Sequence, residues 1–253
     1  MKAKFIGRTF VAAALYVAAM SANATTVPVQ WLGFAAGSQN VTVGETNAGG
    51  NVSAAAGAFN VSINGSVFLT YCLELTQNAS SNVLQYTLLD GLTYFNTNYS
   101  PILGVTGATV VDRIGRLFTY LGGMNTPTIV GTNSAAVVSA AIQLAVWESV
   151  YEGSNILSLS GAQNDATNKF TAVAANVDVV NYANFILGQS ANVANQYSVS
   201  VVRFGQQPNT GDAQDYILLN RIPDQQRIPE PTSLALVALA LGGVGFVSRR
   251  RKA

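Results

Sequence analysis

Phe59-Asn60-Val61-Ser62-Ile63-Asn64-Gly65-Ser66-Val67-Phe68-Leu69-Thr70-Tyr71-Cys72-Leu73 is the stretch whose reading decides the fold. Phe59, Val61 and Ile63 alternate with polar partners, and Val67, Leu69, Tyr71 and Leu73 alternate after the Asn64-Gly65 pair. Two period-2 runs joined by Asn-Gly predict an antiparallel hairpin on a type I′ turn, because that turn needs positive φ at both central residues. Cys72 then falls on the second strand, on the face opposite Leu69, Tyr71 and Leu73.

Upstream, Val27 to Asn60 is rich in Gly, Ala and Asn with short apolar pieces such as Gln30-Trp31-Leu32-Gly33-Phe34, which reads as strands and loops. Downstream the period changes. Val110 to Leu121 is predicted helical, with Ile114, Leu117 and Phe118 as its stripe and Gly122-Gly123 as its stop. Asn133-Ser134 is a candidate N-cap for a second helix, Ala135 to Glu152, closed by Gly153. Asp165 to Leu187 is expected to hold one or two more helices, broken around Val177-Asp178. Period two returns at Tyr197 to Phe204 and at Tyr216 to Leu219, with Gln206 to Asp212 as the connecting turn. The expectation is an α+β domain: an antiparallel β-sandwich or barrel-like core with a helical insertion.

The two ends are of a different kind. Lys2, Lys4 and Arg8 precede an uncharged apolar run from Phe10 to Met20, followed by Ser21-Ala22-Asn23-Ala24. That is a signal peptide, 1–24, cut after Ala24; about 11 apolar residues are too few to span a bilayer. The domain is expected at 25–222. The remainder, 223–253, holds Pro229-Glu230-Pro231, an uncharged stretch over 233–247 expected to form a transmembrane-like helix, and Arg249-Arg250-Arg251-Lys252. The cations would be held on the cytoplasmic side.

Motif, apolar helix and basic stop in that order resemble the PEP-CTERM sorting tail of Gram-negative, exopolysaccharide-producing bacteria, matched at Pro229, Glu230 and Pro231. The resemblance implies signal peptidase and exosortase as processing partners. It also implies a membrane tether in transit at the inner membrane, and a final place at the cell surface or in the extracellular matrix.

Composition narrows what the domain does. The chain has 13 cations and 12 acids, but seven of the cations lie in the two ends. Between Thr25 and Arg227 six cations (Arg113, Arg116, Lys169, Arg203, Arg221, Arg227) face eleven acids, a balance near −5 that offers no basic groove to nucleic acid. There is no histidine, which removes Ser-His-Asp and Cys-His catalysis and ordinary zinc sites. No metal site and no cofactor are expected. Cys72 is the only cysteine, so no intrachain disulfide is possible, and a lone thiol outside the cell must be buried or chemically used.

Gln143 lies mid-helix on the stripe of Ala140, Val146, Trp147 and Val150. A buried amide without a partner costs about 1–3 kcal/mol, so Gln143 must be satisfied by something. Tyr71-Cys72-Leu73-Glu74 together with Gln143-Leu144-Ala145-Val146-Trp147 resembles the paired motifs of Cys–Gln thioester domains. Ile142 departs from the pattern, where the better-known Gram-positive domains usually carry Thr, and so does the polar Glu148 after the tryptophan. The resemblance implies an internal thioester between Cys72 and Gln143, flanked by Tyr71 and Trp147. An amine or hydroxyl on a surface ligand or an extracellular polysaccharide could open it. The bland alternative is a structural or carbohydrate-associated matrix protein in which Cys72 and Gln143 only pack. An enzyme is not expected: Glu148 and Glu152, at i and i+4, read as a solvated helix edge rather than two acids facing each other across a substrate. Asp212 and Asp215 read as turn residues.

Overall fold

A computed structural model describes residues 26–45, 50–99, 104–154, 157–159, 170–205 and 213–222. The expected signal peptide with Ala24, the sorting tail with Pro229, Glu230 and Pro231, the apolar stretch 233–247 and the expected turn at 206–212 lie outside the described residues. Among the described residues no helix is long and apolar enough to cross a membrane.

The described residues form nine strands and four helices in the order β1 (Thr26–Phe34), β2 (Gln39–Glu45), β3 (Gly50–Ala56), β4 (Phe59–Ile63), β5 (Ser66–Thr70), β6 (Leu84–Asp90), α1 (Gly91–Asn98), α2 (Gly107–Leu121), α3 (Ala135–Tyr151), β7 (Phe170–Ala174), α4 (Val177–Ser190), β8 (Tyr197–Phe204) and β9 (Tyr216–Arg221). The main sheet has the order β5-β4-β1-β6-β8-β9. Every neighbouring pair in it is antiparallel. Its two ends meet: beyond β5 the chain runs alongside the start of β9 through a Cys72–Tyr216 bridge. Leu73 N–H donates to Asp215 C=O at 3.1 Å, and Ile217 N–H to Tyr71 C=O at 3.3 Å. The sheet is therefore a nearly closed barrel, which removes most of its free edge. A smaller sheet, β3-β2-β7, is also antiparallel.

The quoted hairpin forms as read. Asn64 and Gly65 have φ of 49° and 81°, the type I′ signature, and the register runs Ile63↔Ser66 to Phe59↔Thr70. Burial of its second strand does not follow the expected odd-numbered face along its length. Val67 is 63% exposed, whereas Tyr71 and Leu73 are buried. The helices cover that face only from Tyr71 onward, where its ring meets Phe118 of α2 at 5.7 Å.

Each helix start is capped by a side chain the sequence supplies: Asp90, Thr106, Ser134 and Asn176 accept from Thr93, Thr109, Val137 and Asp178 N–H. Gly122 ends α2 in the left-handed region at φ 75°, which a side chain would resist. α3 has no stripe. All residues from Val137 to Val150 are buried, because α2 and α4 pack on it together with the small sheet.

One reading is corrected and one gap is filled. Phe170–Ala174, expected to be helical, is strand β7, held by pairing with β2 from Val41↔Ala174 to Glu45↔Phe170. A five-residue strand has too short a pattern to stand out from its helical neighbours. β6 and α1, over Leu84–Asn98, had no assignment from the sequence.

Candidate functional site

The type I′ turn sets the hydrogen-bonding parity of the hairpin. Ile63↔Ser66, Val61↔Phe68 and Phe59↔Thr70 are the pairs that exchange backbone bonds. Two residues further on, the same register would set Gly57 opposite Cys72, but β4 has begun only at Phe59. Cys72 thus has a backbone N–H and C=O pointing at a partner strand that is not there.

Gln143 takes that place. Its Oε1 accepts from Cys72 N–H at 2.9 Å, and its Nε2 donates to Cys72 C=O at 2.9 Å. The carboxamide behaves as one residue of a neighbouring strand, satisfying both backbone groups of Cys72 and both ends of itself. One helical turn earlier, Ser139 does the same for the start of β4: its Oγ accepts from Ala58 N–H at 2.6 Å. Ser139 and Gln143 lie at i and i+4, so a single face of α3 docks into the gap where β4 and β5 part.

Cys72, Gln143, Tyr71 and Trp147 are therefore brought together, all buried. Cys72 also lines a cleft of about 530 Å³ at the barrel mouth, walled by Trp31, Phe34, Phe59 and Trp147, with Glu74 and Gln214 as polar neighbours. The rings brace one another, Trp31 lying edge-on to Phe34 at 5.9 Å and to Phe59 at 5.8 Å. Gln143 is 1% exposed and is not part of the cleft wall, whereas Cys72 is 6% exposed and is. A ligand entering here would meet the sulfur's side of the pair. Burial pushes the Cys72 thiol well above its ordinary range, and the nearby Glu74 carboxylate adds to this. The thiol is held neutral.

Ser139 and the walls Trp31, Phe34 and Phe59 were not singled out as site residues in the sequence. The i, i+4 spacing of Ser139 to Gln143 was the available signal; the walls come from β1 and β4, which no local pattern ties to Cys72.

The acids at the C-terminal end of α3 are not a solvated edge. Glu148 and Glu152 are 0% and 1% exposed. Glu148 Oε1 accepts from Ser158 N–H at 2.6 Å; Glu152 accepts from Ser154 N–H at 2.6 Å and Phe170 N–H at 3.2 Å. Arg113 donates to the C=O groups of Glu152, at 2.7 Å, and Ser154. The cluster pins the chain leaving α3 rather than presenting acids to a substrate. Desolvation pushes the Glu148 carboxyl up to about 8. Asp215 is likewise buried, not a turn residue: it accepts from Tyr94 O–H and from Phe204 N–H, each at 2.7 Å. Asp212 lies outside the described residues.

Beyond the folded domain, the far end of the chain carries its own assignment. Residues 227–252 match the PEP-CTERM protein-sorting motif. The motif includes Pro229, Glu230 and Pro231 and marks the chain as an exported protein sorted by exosortase. No curated protein matches the chain. Among solved structures it is similar to the N-terminal domain of the Streptococcus pyogenes pilus tip adhesin Cpa, at 14% identity and a TM-score of 0.41 over 73% of this chain and 95% of that one. It is also similar to the N-terminal thioester domain of a Clostridium perfringens surface protein, a cysteine-to-alanine variant. There the identity is 11% and the TM-score 0.38, over 64% of this chain and 88% of that one.

Proposed function

We propose that the exported domain is a thioester module which anchors the protein covalently to a nucleophile at the cell surface or in the extracellular matrix. The observation that carries the reading is the paired hydrogen bond between the Gln143 carboxamide and the backbone of Cys72 itself. It holds the side-chain carbonyl carbon of Gln143 beside the residue whose thiol must attack it. Cys72 N–H already donates to Oε1, so it polarises that carbonyl and is placed to stabilise the oxyanion of an addition intermediate.

The step balances without a co-reactant. The sulfur of Cys72 bonds to Cδ of Gln143, the Cδ–Nε2 bond breaks, and the thiol proton leaves with the nitrogen as ammonia. An incoming amine or hydroxyl then bonds to Cδ, the C–S bond breaks, and the sulfur recovers a proton as the thiol. The site acts once, as a stoichiometric acyl donor, and the protein is not an enzyme. No histidine is required.

A second reading has its own support. The same two bonds give each end of a buried glutamine a partner, so Cys72 and Gln143 would simply pack in a structural or carbohydrate-associated matrix protein. Intact mass separates the two. A thioester makes the processed protein about 17 Da lighter than its sequence, the mass of the ammonia lost on condensation. Methylamine then adds to the lighter species and to no other, and Cys72→Ala restores the sequence mass. A mass equal to the sequence, with a thiol that titrates freely on unfolding, refutes the covalent reading.

A further inference from the structure

Tyr71 and Ile142, the chain neighbours of Cys72 and Gln143, form part of the floor of a second groove. Its volume is about 340 Å³. Tyr71 points to the opposite face of its strand from Cys72, so this groove opens on the helical side and is distinct from the aromatic cleft. Phe118 and Val138 complete the buried floor, and the rim carries Tyr120, Tyr182 and the loop residues Asn125, Thr126 and Thr128. Outside the rim Phe185, 50% exposed, stacks on Tyr182 at 6.0 Å with 19° between the rings and meets Tyr120 edge-on at 6.5 Å.

We propose that this groove binds a neutral saccharide. No residue lining it carries a charge. A polyanion would need cations there and a cationic ligand would need an acid. What the groove does offer is exposed ring area beside neutral hydroxyls and an amide. A pyranose presents an apolar C–H face and a rim of hydroxyls, and flat amphipathic tyrosines match both. The volume falls within the range of about 300–1,000 Å³ usual for small-ligand sites. The loop is already shaped: Val130 and Asn133 exchange backbone bonds at 3.1 and 3.0 Å, and Asn125 Nδ2 donates to Gly122 C=O at 3.1 Å. Little ordering is left for the ligand to impose. The thiol of Cys72 has no part in this site, so it stands or falls apart from the thioester.

The test is affinity electrophoresis of the full-length chain in mild detergent. The gels contain dextran, laminarin or galactomannan as neutral polymers, or alginate as an acidic one. At least one neutral polymer retards the protein, alginate does not, and Tyr120→Ala with Phe185→Ala weakens retention at least tenfold while leaving the melting curve in place. Retardation by none of the neutral polymers overturns the proposal, as does retention indifferent to the double substitution. Self-association abolished by that substitution, with no polymer retarded, would instead assign the groove to a second copy of the chain.

Discussion

Gln143→Leu in a Cys72→Ala background isolates what the amide does as a surrogate strand residue, because neither protein can form a thioester. The substitution keeps a side chain of similar size and removes both bonds to residue 72, each 2.9 Å long. The site is 1% exposed, so water does not replace them. Each orphaned backbone group costs about 1–3 kcal/mol, together about 2–6 kcal/mol. Burying the more apolar leucine returns on the order of 1–2 kcal/mol. Taken at their central values these leave a net loss of about 2.5 kcal/mol, and at roughly 2–4 °C per kcal/mol for a domain of this size the melting midpoint falls by roughly 5–10 °C. Thermal melts followed by far-UV circular dichroism read this directly. Ser139→Ala, which removes one acceptor from Ala58 N–H on the same face, lowers the midpoint by about half as much. A Gln143→Leu protein that melts within about 2 °C of its parent would refute the argument, since the backbone of residue 72 would then be satisfied by something else.

The buried acid of α3 gives a pH dependence with a definite sign. Desolvation raises the Glu148 carboxyl from 4.5 to about 8 in the folded state. The native protein therefore keeps a proton that the unfolded chain gives up, and stability falls as pH rises through that window. Urea unfolding midpoints between pH 5 and pH 8.5 decline for the parent and flatten in Glu148→Gln; an equal decline in both shows that Glu148 is not the group responsible. Gly115 lies in α2 where an added Cβ would land on the Asn195 carboxamide. Gly115→Ala is expected to lower stability by about 1–3 kcal/mol despite the better helix propensity of alanine. Asn195→Ala in that background restores most of the loss, and a Gly115→Ala protein as stable as its parent contradicts the close approach.

What could be read locally was read correctly: the Asn64-Gly65 turn, the Gly122 stop, the Ser134 cap and strand β8 each depend on a few adjacent residues with one favoured conformation. β7 failed because its five residues are strand only by virtue of pairing with β2, far away in the chain. Glu148 and Glu152 failed for a related reason. Spacing puts them on one helix face, but whether that face meets water depends on Arg113 and on the chain after Tyr151 folding back over it.

The Cys72–Gln143 pair divides the same way. The sequence by itself determined the two residue types, the strand and helix that carry them, and the need of a mid-helix amide for a partner, because composition, turn chemistry and helical period are local properties of the chain. That Cys72 sits where the barrel closes on Tyr216, and that β4 starts two residues too late to serve it, was decided only by the tertiary structure. A backbone group must be satisfied wherever it is buried. Which group supplies the bond depends on which segments reach the gap, and no spacing along the sequence records that.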